Sequence, residues 1–172
     1  MLDVRCARPE DADAAADLLR RSITELCAAD HRGDADTLSK WLANKTPSHV
    51  LEWLANKDQY CVIAENDTRL LGIGLIHRSG EIRLCYLAPG NQGRGIGKAI
   101  CLALETQART WGLRELRLES TLSARSFYER LGYRAAGAAT RGFGLSHCHP
   151  YAKTLSSATA TQPGSDRPDT ER

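Results

Sequence analysis

Between residues 81 and 112 the chain changes character twice, and few folds accommodate the result. Glu81-Ile82-Arg83-Leu84-Cys85-Tyr86-Leu87 reads as a strand, which Ala88-Pro89-Gly90-Asn91 ends. Gln92-Gly93-Arg94-Gly95-Ile96-Gly97-Lys98 follows, and Ala99 to Glu105 opens a long helix that closes at Trp111-Gly112. Glycines at 93, 95 and 97 remove Cβ atoms where the chain enters the helix, so a ligand can approach the backbone closely. The first amides of a helix have no partner inside it, and its dipole presents positive charge there. With Arg94 and Lys98 beside it, a strand, a bare turn and a helix in this order read as a pyrophosphate cradle.

The phosphate ligand is narrowed by what is missing. A P-loop needs a Ser or Thr after its lysine, and Lys98 is followed by Ala99. The dinucleotide fingerprint Gly-x-Gly-x-x-Gly does not fit glycines at 93, 95 and 97. The pattern present is Gln-x-x-Gly-x-Gly at Gln92, Gly95 and Gly97, after a strand ending in Tyr86-Leu87. It resembles the acetyl-CoA signature of the GNAT N-acetyltransferases. A second resemblance follows in the family's order. Ala124-Arg125-Ser126-Phe127-Tyr128-Glu129-Arg130-Leu131-Gly132-Tyr133 fits the family's Ala-x-x-Phe-Tyr-Glu-(Lys/Arg)-Leu-Gly-(Phe/Tyr) throughout. One position departs: many members carry Asn three residues before that alanine, where this chain has Thr121, whose hydroxyl can still hydrogen-bond.

The resemblance implies a single α/β (α+β) domain over residues 1–155, with a mixed, mostly antiparallel sheet flanked by helices. It implies acetyl-CoA as co-substrate. Main-chain amides of Gln92, Gly93, Arg94, Gly95, Ile96, Gly97 and Lys98 would hold the pyrophosphate. The edge of the strand at Cys85, Tyr86 and Leu87 would pair with the pantetheine arm, and Thr121 would make a loop contact. A bulge that splays this strand from its neighbour frees those amides in the family. Tyr128 stands where the family places a general acid for the leaving thiolate. Glu81 stands where histone-type members carry a glutamate base; Glu65, Glu119 and His77, or water alone, are the alternatives. The implied reaction is N-acetylation of a primary amine on a small molecule or peptide, by direct attack in a ternary complex. A CoA sensor without turnover and a transferase of longer acyl groups are the rival readings. Family habit implies a homodimer.

Composition agrees with a soluble domain of this kind. The 172 residues are 42% hydrophobic and 26% charged, enough for one domain with a sizeable core. A net charge of +2, with no lysine-rich run, gives no reason to expect nucleic acid as a partner. No apolar run approaches a membrane span, and Met1-Leu2-Asp3-Val4-Arg5 lacks the layout of an export signal. The six cysteines have no paired spacing and read as free, mostly buried thiols, so the cytoplasm is the expected compartment.

The rest of the chain supplies the frame. Leu2 to Arg8 alternates as a half-buried strand, and Pro9-Glu10-Asp11 opens a helix predicted to run to about residue 29, with Asp11, Asp13 and Asp17 on its solvated face. Helices are predicted from Asp34 and from Pro47, in a region that forms one wall of the acceptor pocket in GNAT-like chains. There Asp30, His31, Asp34, Trp41 and Trp53 are core or pocket residues. Strands are predicted at Gln59–Glu65, Leu70–His77, Leu116–Glu119, Tyr133–Ala138 and His147–Leu155, with a loop at Arg141-Gly142-Phe143-Gly144. Strand geometry puts His147 and His149 on one face and Cys148 on the other, so this triplet does not form a metal site by itself. Residues 156–172 carry no apolar pattern and read as a disordered tail.

Overall fold

The computed structural model describes residues 1–67, 69–142 and 145–156; the expected tail beyond 156 and Thr68 of the turn 66–69 lie outside them. Eight strands form the sheet: β1 Asp3–Cys6, β2 Gln59–Asn66, β3 Arg69–His77, β4 Glu81–Leu87, β5 Glu115–Ser120, β6 Arg134–Ala135, β7 Thr140–Gly142 and β8 Leu145–Thr154. Their order is β1-β2-β3-β4-β5-β8-β6, with β7 paired to β8. Every pairing is antiparallel except β4 with β5.

Helices cover both faces. On one side lies α5, Ile96–Thr110, whose Ile100, Leu104 and Ala108 pack with Val62, Ile76, Leu116 and Leu118. The approach is close: a Cβ at Gly72 would stand 2.6 Å from Ile100 Cδ1, and one at Gly74 2.3 Å from Ile100 Cγ2. The small positions of β3 thus admit the helix. Further along α5, Glu105 is fully buried and accepts from Lys153 Nζ at 2.7 Å and Tyr133 Oη at 3.3 Å, which ties the helix to β8. On the other side α1, Ala12–Leu26, packs Leu18 and Leu19 against Ile63, Ile73, Leu75 and Leu84.

The opening of α1 departs from expectation in one residue. A 3-10 turn at Pro9–Asp11 precedes the helix, and Asp11 is buried rather than solvated. Arg5 donates to Asp11 through Nη1 at 2.8 Å and Nη2 at 2.9 Å, and to Glu65 through Nε at 2.7 Å. The guanidinium holds both carboxyls below their usual range and so joins β1, α1 and β2.

Helix α1 ends at Leu26, short of the expected residue 29, because Cys27 leaves helical geometry and a separate turn, α2 Ala28–His31, follows. His31 caps the exit: Nε2–H donates to Thr24 O at 3.2 Å while Nδ1 accepts from Gly33 N at 3.0 Å. Two further helices complete this side, α3 Ala35–Leu42 and α4 Pro47–Ala55. Asp34 and Thr46 accept from the backbone amides of Thr37 and His49 as their caps.

The C-terminal strands differ most from the sequence reading. Expected over Tyr133–Ala138, β6 keeps only Arg134–Ala135, because its partner runs into Pro150, which has no N–H to donate. Ala136 N still reaches Pro150 O at 2.9 Å. Arg141 and Gly142, expected in a loop, belong to β7; Gly142 pairs with Leu145 of β8, which starts there rather than at His147, and Arg141 lies at an irregularity of the ladder.

Gly74→Ala should destabilise the fold by about 1–3 kcal/mol, since the added methyl forces Ile100 off its seat. Urea midpoints of Gly74→Ala, Ile100→Ala and the double variant check this. The pair should cost less than the sum of the two.

Candidate active site

The site begins with an irregularity in β4. Leu75 pairs with Leu84 and Ile76 with Ile82, so Arg83 is an extra residue bulged out of the ladder. The bulge turns β4 away from β5. Only Glu81↔Arg117 and Ile82↔Leu118 are in register between them, and from Arg83 to Leu87 the strand has no partner on that side. Such an edge presents amides and carbonyls to whatever fills the gap.

A cavity of about 810 Å³ fills the gap, and eleven of the thirteen residues singled out from the sequence line it. Cys85, Tyr86 and Leu87 form its β4 wall; Gln92, Gly93, Gly95, Ile96, Gly97 and Lys98 form the end at α5; Thr121 and Tyr128 face them. Arg94 is exposed and does not line the cavity. Gly93 and Gly95 adopt φ of 75° and 77°, and a Cβ at either would meet nothing, so they are glycine for backbone hand rather than for space. Gly95 caps α5 without a side chain, and the first helical bond is Ala99 N to Gly95 O at 3.0 Å. The amides of Ile96, Gly97 and Lys98 therefore point out of the helix start without intrahelical acceptors. Gly97 serves packing instead: its Cβ would stand 2.9 Å from the Phe127 ring.

Tyr128, on α6 Arg125–Arg130, is 7% exposed and held edge-on by Phe127 and Tyr133, at centroid distances of 5.0 and 5.7 Å. Burial, reinforced by the neighbouring Cys85 and Cys101, pushes its phenol well above the usual range, so it keeps its proton. The sulfurs of Cys85 and Cys101 lie 3.7 Å apart. That contact and burial raise the Cys101 thiol far above the normal value, which leaves no thiolate nucleophile there.

A second cavity, of about 490 Å³, opens on the α3–α4 side of β4 and shares Ile82, Arg83, Leu84, Tyr86 and Glu119 with the first. Glu81 lines this second cavity alone, and its carboxylate accepts from Arg83 Nε at 2.9 Å. Glu119 lines both cavities and accepts from Thr140 Oγ1 at 3.3 Å. The other candidate bases lie elsewhere: Glu65 is held by Arg5, and His77 shares a hydrogen bond with Ser79 at 2.9 Å.

The residues expected as core or pocket between 30 and 57 divide between structure and site. His31 and Asp34 act as helix caps. Asp30 accepts from the backbone N–H and the hydroxyl of Ser123, which links the α1–α2 corner to the loop before α6. Trp41 and Trp53 line the second cavity, and Trp41 Nε1 donates to Tyr86 Oη at 3.2 Å. His147 and His149 line neither cavity, and Cys148 is buried between strands. Among the described residues no group of three or more His, Cys, Asp or Glu could hold a metal, and no helix is long and apolar enough to cross a membrane.

Sequence reasoning missed Lys45. It sits between α3 and α4, lines the second cavity and is 4% exposed. Burial pushes its ammonium down to about 8. Gln59, at the start of β2, lines the same cavity, and among the described residues its Oε1 is buried without a hydrogen-bond partner. A lysine between two helices reads as solvated in a sequence; only the tertiary arrangement buries it.

Residues 27–155 match the sequence profile of the acetyltransferase (GNAT) domain. An uncharacterised acetyltransferase of Streptococcus pyogenes serotype M1 is 34% identical over 99 residues, which are 56% of this chain and 69% of that one. A GCN5-related N-acetyltransferase from Rhodopseudomonas palustris superposes with a TM-score of 0.78 at 24% identity, over 89% of this chain and 95% of its own. The PaiA N-acetyltransferase of Thermoplasma acidophilum, solved with coenzyme A, gives 0.75 at 21% identity, over 90% and 99%. These two likenesses show a common fold.

Lys45→Met should stabilise the protein by about 3 kcal/mol at pH 7, the cost of holding the buried charge. The sign follows from a folded value of about 8 below the ordinary 10.5. The wild type carries the full penalty below pH 8 and loses it as pH rises towards 10.5, so the variant's advantage should shrink across that window. Denaturant titrations at several pH values check it.

Proposed function

The chain belongs to the GNAT acetyltransferase family, and from that premise we propose that it is an acetyl-CoA-dependent N-acetyltransferase acting on a primary amine by direct attack. The observation that carries the proposal is the parting of β4 from β5, with the uncapped start of α5 at one end and Tyr128 facing the gap. The residues present fit the co-substrate. The amides of Ile96, Gly97 and Lys98, with Gly93 and Gly95 in left-handed geometry, suit a pyrophosphate. The unpaired edge at Cys85–Leu87 suits an amide-bearing arm. When bound, acetyl-CoA supplies the thioester whose C–S bond is exchanged for the N–C bond of the product amide.

The chain's own residues divide the remaining work. Tyr128 holds a proton at Oη inside the first cavity and donates it to the sulfur side as charge develops there. Its raised value keeps it protonated, so it does not compete for the amine proton. Unpaired amides of β4 past Ile82 stabilise the carbonyl oxygen. The acceptor reaches the junction through the second cavity, which meets the first at Ile82–Leu84, Tyr86 and Glu119.

Two carboxylates are placed to accept the amine proton, directly or through water. Glu81, the position that the family resemblance indicates, is paired with Arg83 and lines only the acceptor side. Glu119 lines both cavities, and among the described residues no ion pair occupies it. That favours Glu119 as the proton acceptor, with Glu81 as the second candidate. The buried, protonated Cys101 does not support a covalent acetyl-enzyme.

Tyr128→Phe should lower kcat about 10²- to 10³-fold while acetyl-CoA affinity, read by calorimetry, stays within about twofold. Free-thiol release over a panel of amines measures the rate. An unchanged rate would remove Tyr128 from the chemistry. Tight CoA binding with no turnover on any amine would favour a sensor. Under the same assay Glu119→Gln should lower kcat more than Glu81→Gln does.

A further inference from the structure

The second cavity contains a charge that the transfer reaction does not use. Lys45 lines it, 4% exposed, with its ammonium beside two other lining residues, Asn44 and Trp53. Arg20 Nη1 donates to the carbonyls of Leu42 and Lys45 at 3.1 and 3.3 Å, and Lys45 N donates to Leu42 O at 3.0 Å. The turn between α3 and α4 is thereby held, and its lysine is buried rather than extended to water as surface lysines are. Nζ donates to Asn44 Oδ1 and lies 6.0 Å from the Trp53 ring centroid. Among the described residues no carboxylate lies within ion-pair distance of it, although a buried cation ordinarily has one. The orphaned Oε1 of Gln59 belongs to the same cavity and lacks a donor.

Charges of both signs line this cavity. Lys45 and Lys40 come from α3 and the turn after it, Glu81 is paired with Arg83, and Glu119 stands where the cavity meets the donor side. Trp41, Trp53, Leu75 and Tyr86 give it apolar walls.

We infer that the second cavity binds amine acceptors that also carry a carboxylate, which Lys45 receives, so that the substrate class is that of free amino acids and similar small amino-carboxylates. This rests on the N-acetyltransferase reading above. The carboxylate supplies the anion that the buried ammonium lacks, and the amine of the same ligand turns towards Glu119 and the gap beside β4. An N–H of the ligand meets Gln59 Oε1. At about 490 Å³ the space suits a molecule of amino-acid to dipeptide size with an apolar body against the two tryptophans. Lys45 is thus a specificity-determining residue and takes no part in moving protons.

The test uses the full chain and matched acceptor pairs that differ only in the carboxylate: leucine against isoamylamine, and phenylalanine against phenethylamine. Wild-type kcat/KM should favour the acid of each pair by about tenfold or more, the worth of a charge-assisted contact. Lys45→Met should cut the value for the acids by about 10- to 100-fold and change that for the simple amines by less than about threefold. Calorimetry of the same compounds in the presence of CoA, on wild type and variant, reads binding without chemistry. An equal loss on acids and amines, or a wild-type preference for the simple amines, overturns the carboxylate site and leaves N-acetyl transfer intact. Lys45-dependent binding of the acids with no transfer to any amine upholds the site and overturns the transfer reading. Neither binding nor transfer overturns both.

Discussion

Everything functional in this protein depends on β4 giving up a partner. A sheet gains by continuing its hydrogen-bond ladder, yet β4 meets β5 over two residues and then leaves it at the Arg83 bulge. The lost main-chain bonds are tolerated because β3 secures the other edge of β4 from Gly72 to Ile76, and because α5 and α1 cover its two faces. The gap is therefore rigid and polar at its rim, which is what a site for an extended, amide-bearing ligand requires. The same divergence produces both cavities: one lies towards α5, the other towards α3 and α4, and they join where the ladder ends.

The glycine turn into α5 and the helix carrying Tyr128 were legible in the sequence because their determinants are local. Gly93 and Gly95 are needed by a backbone turn, and turns are specified by neighbours in the chain. Ala124 to Tyr133 packs by helical spacing, so its pattern survives in one dimension. Gly97 shows the limit of such reading. It belongs to the same run of glycines, but its reason is the Phe127 ring, a residue thirty positions away that no local rule connects to it.

What the sequence hid was burial of charge. Asp11 looks like one of several acids on a solvated helix face, and only the fold brings Arg5 over it. Lys45 looks like a surface lysine in a turn, and only Arg20 and the two tryptophan-bearing helices enclose it. Glu81 and Glu119 could not be ranked as bases from sequence, since their difference is which cavity each lines and whether Arg83 occupies it. The C-terminal strands were misjudged for a related reason. Pro150 ends β6 from across the sheet, and a strand's length depends on a partner that periodicity does not reveal.

Glu105 gives the divided sheet its mechanical character. The N-terminal strands and the strands from β5 onward meet along a two-residue seam, and α5 lies across it. A helix packed by apolar contacts alone could rock and let the seam breathe. The buried bond from Lys153 to Glu105 fixes the helix to the far lobe, while Ile100, seated against Gly72 and Gly74, fixes it to the near one. Separating the lobes would expose a buried ion pair, an event on the scale of local unfolding rather than of thermal fluctuation. The slot between β4 and β5 is thus braced from both sides by one helix.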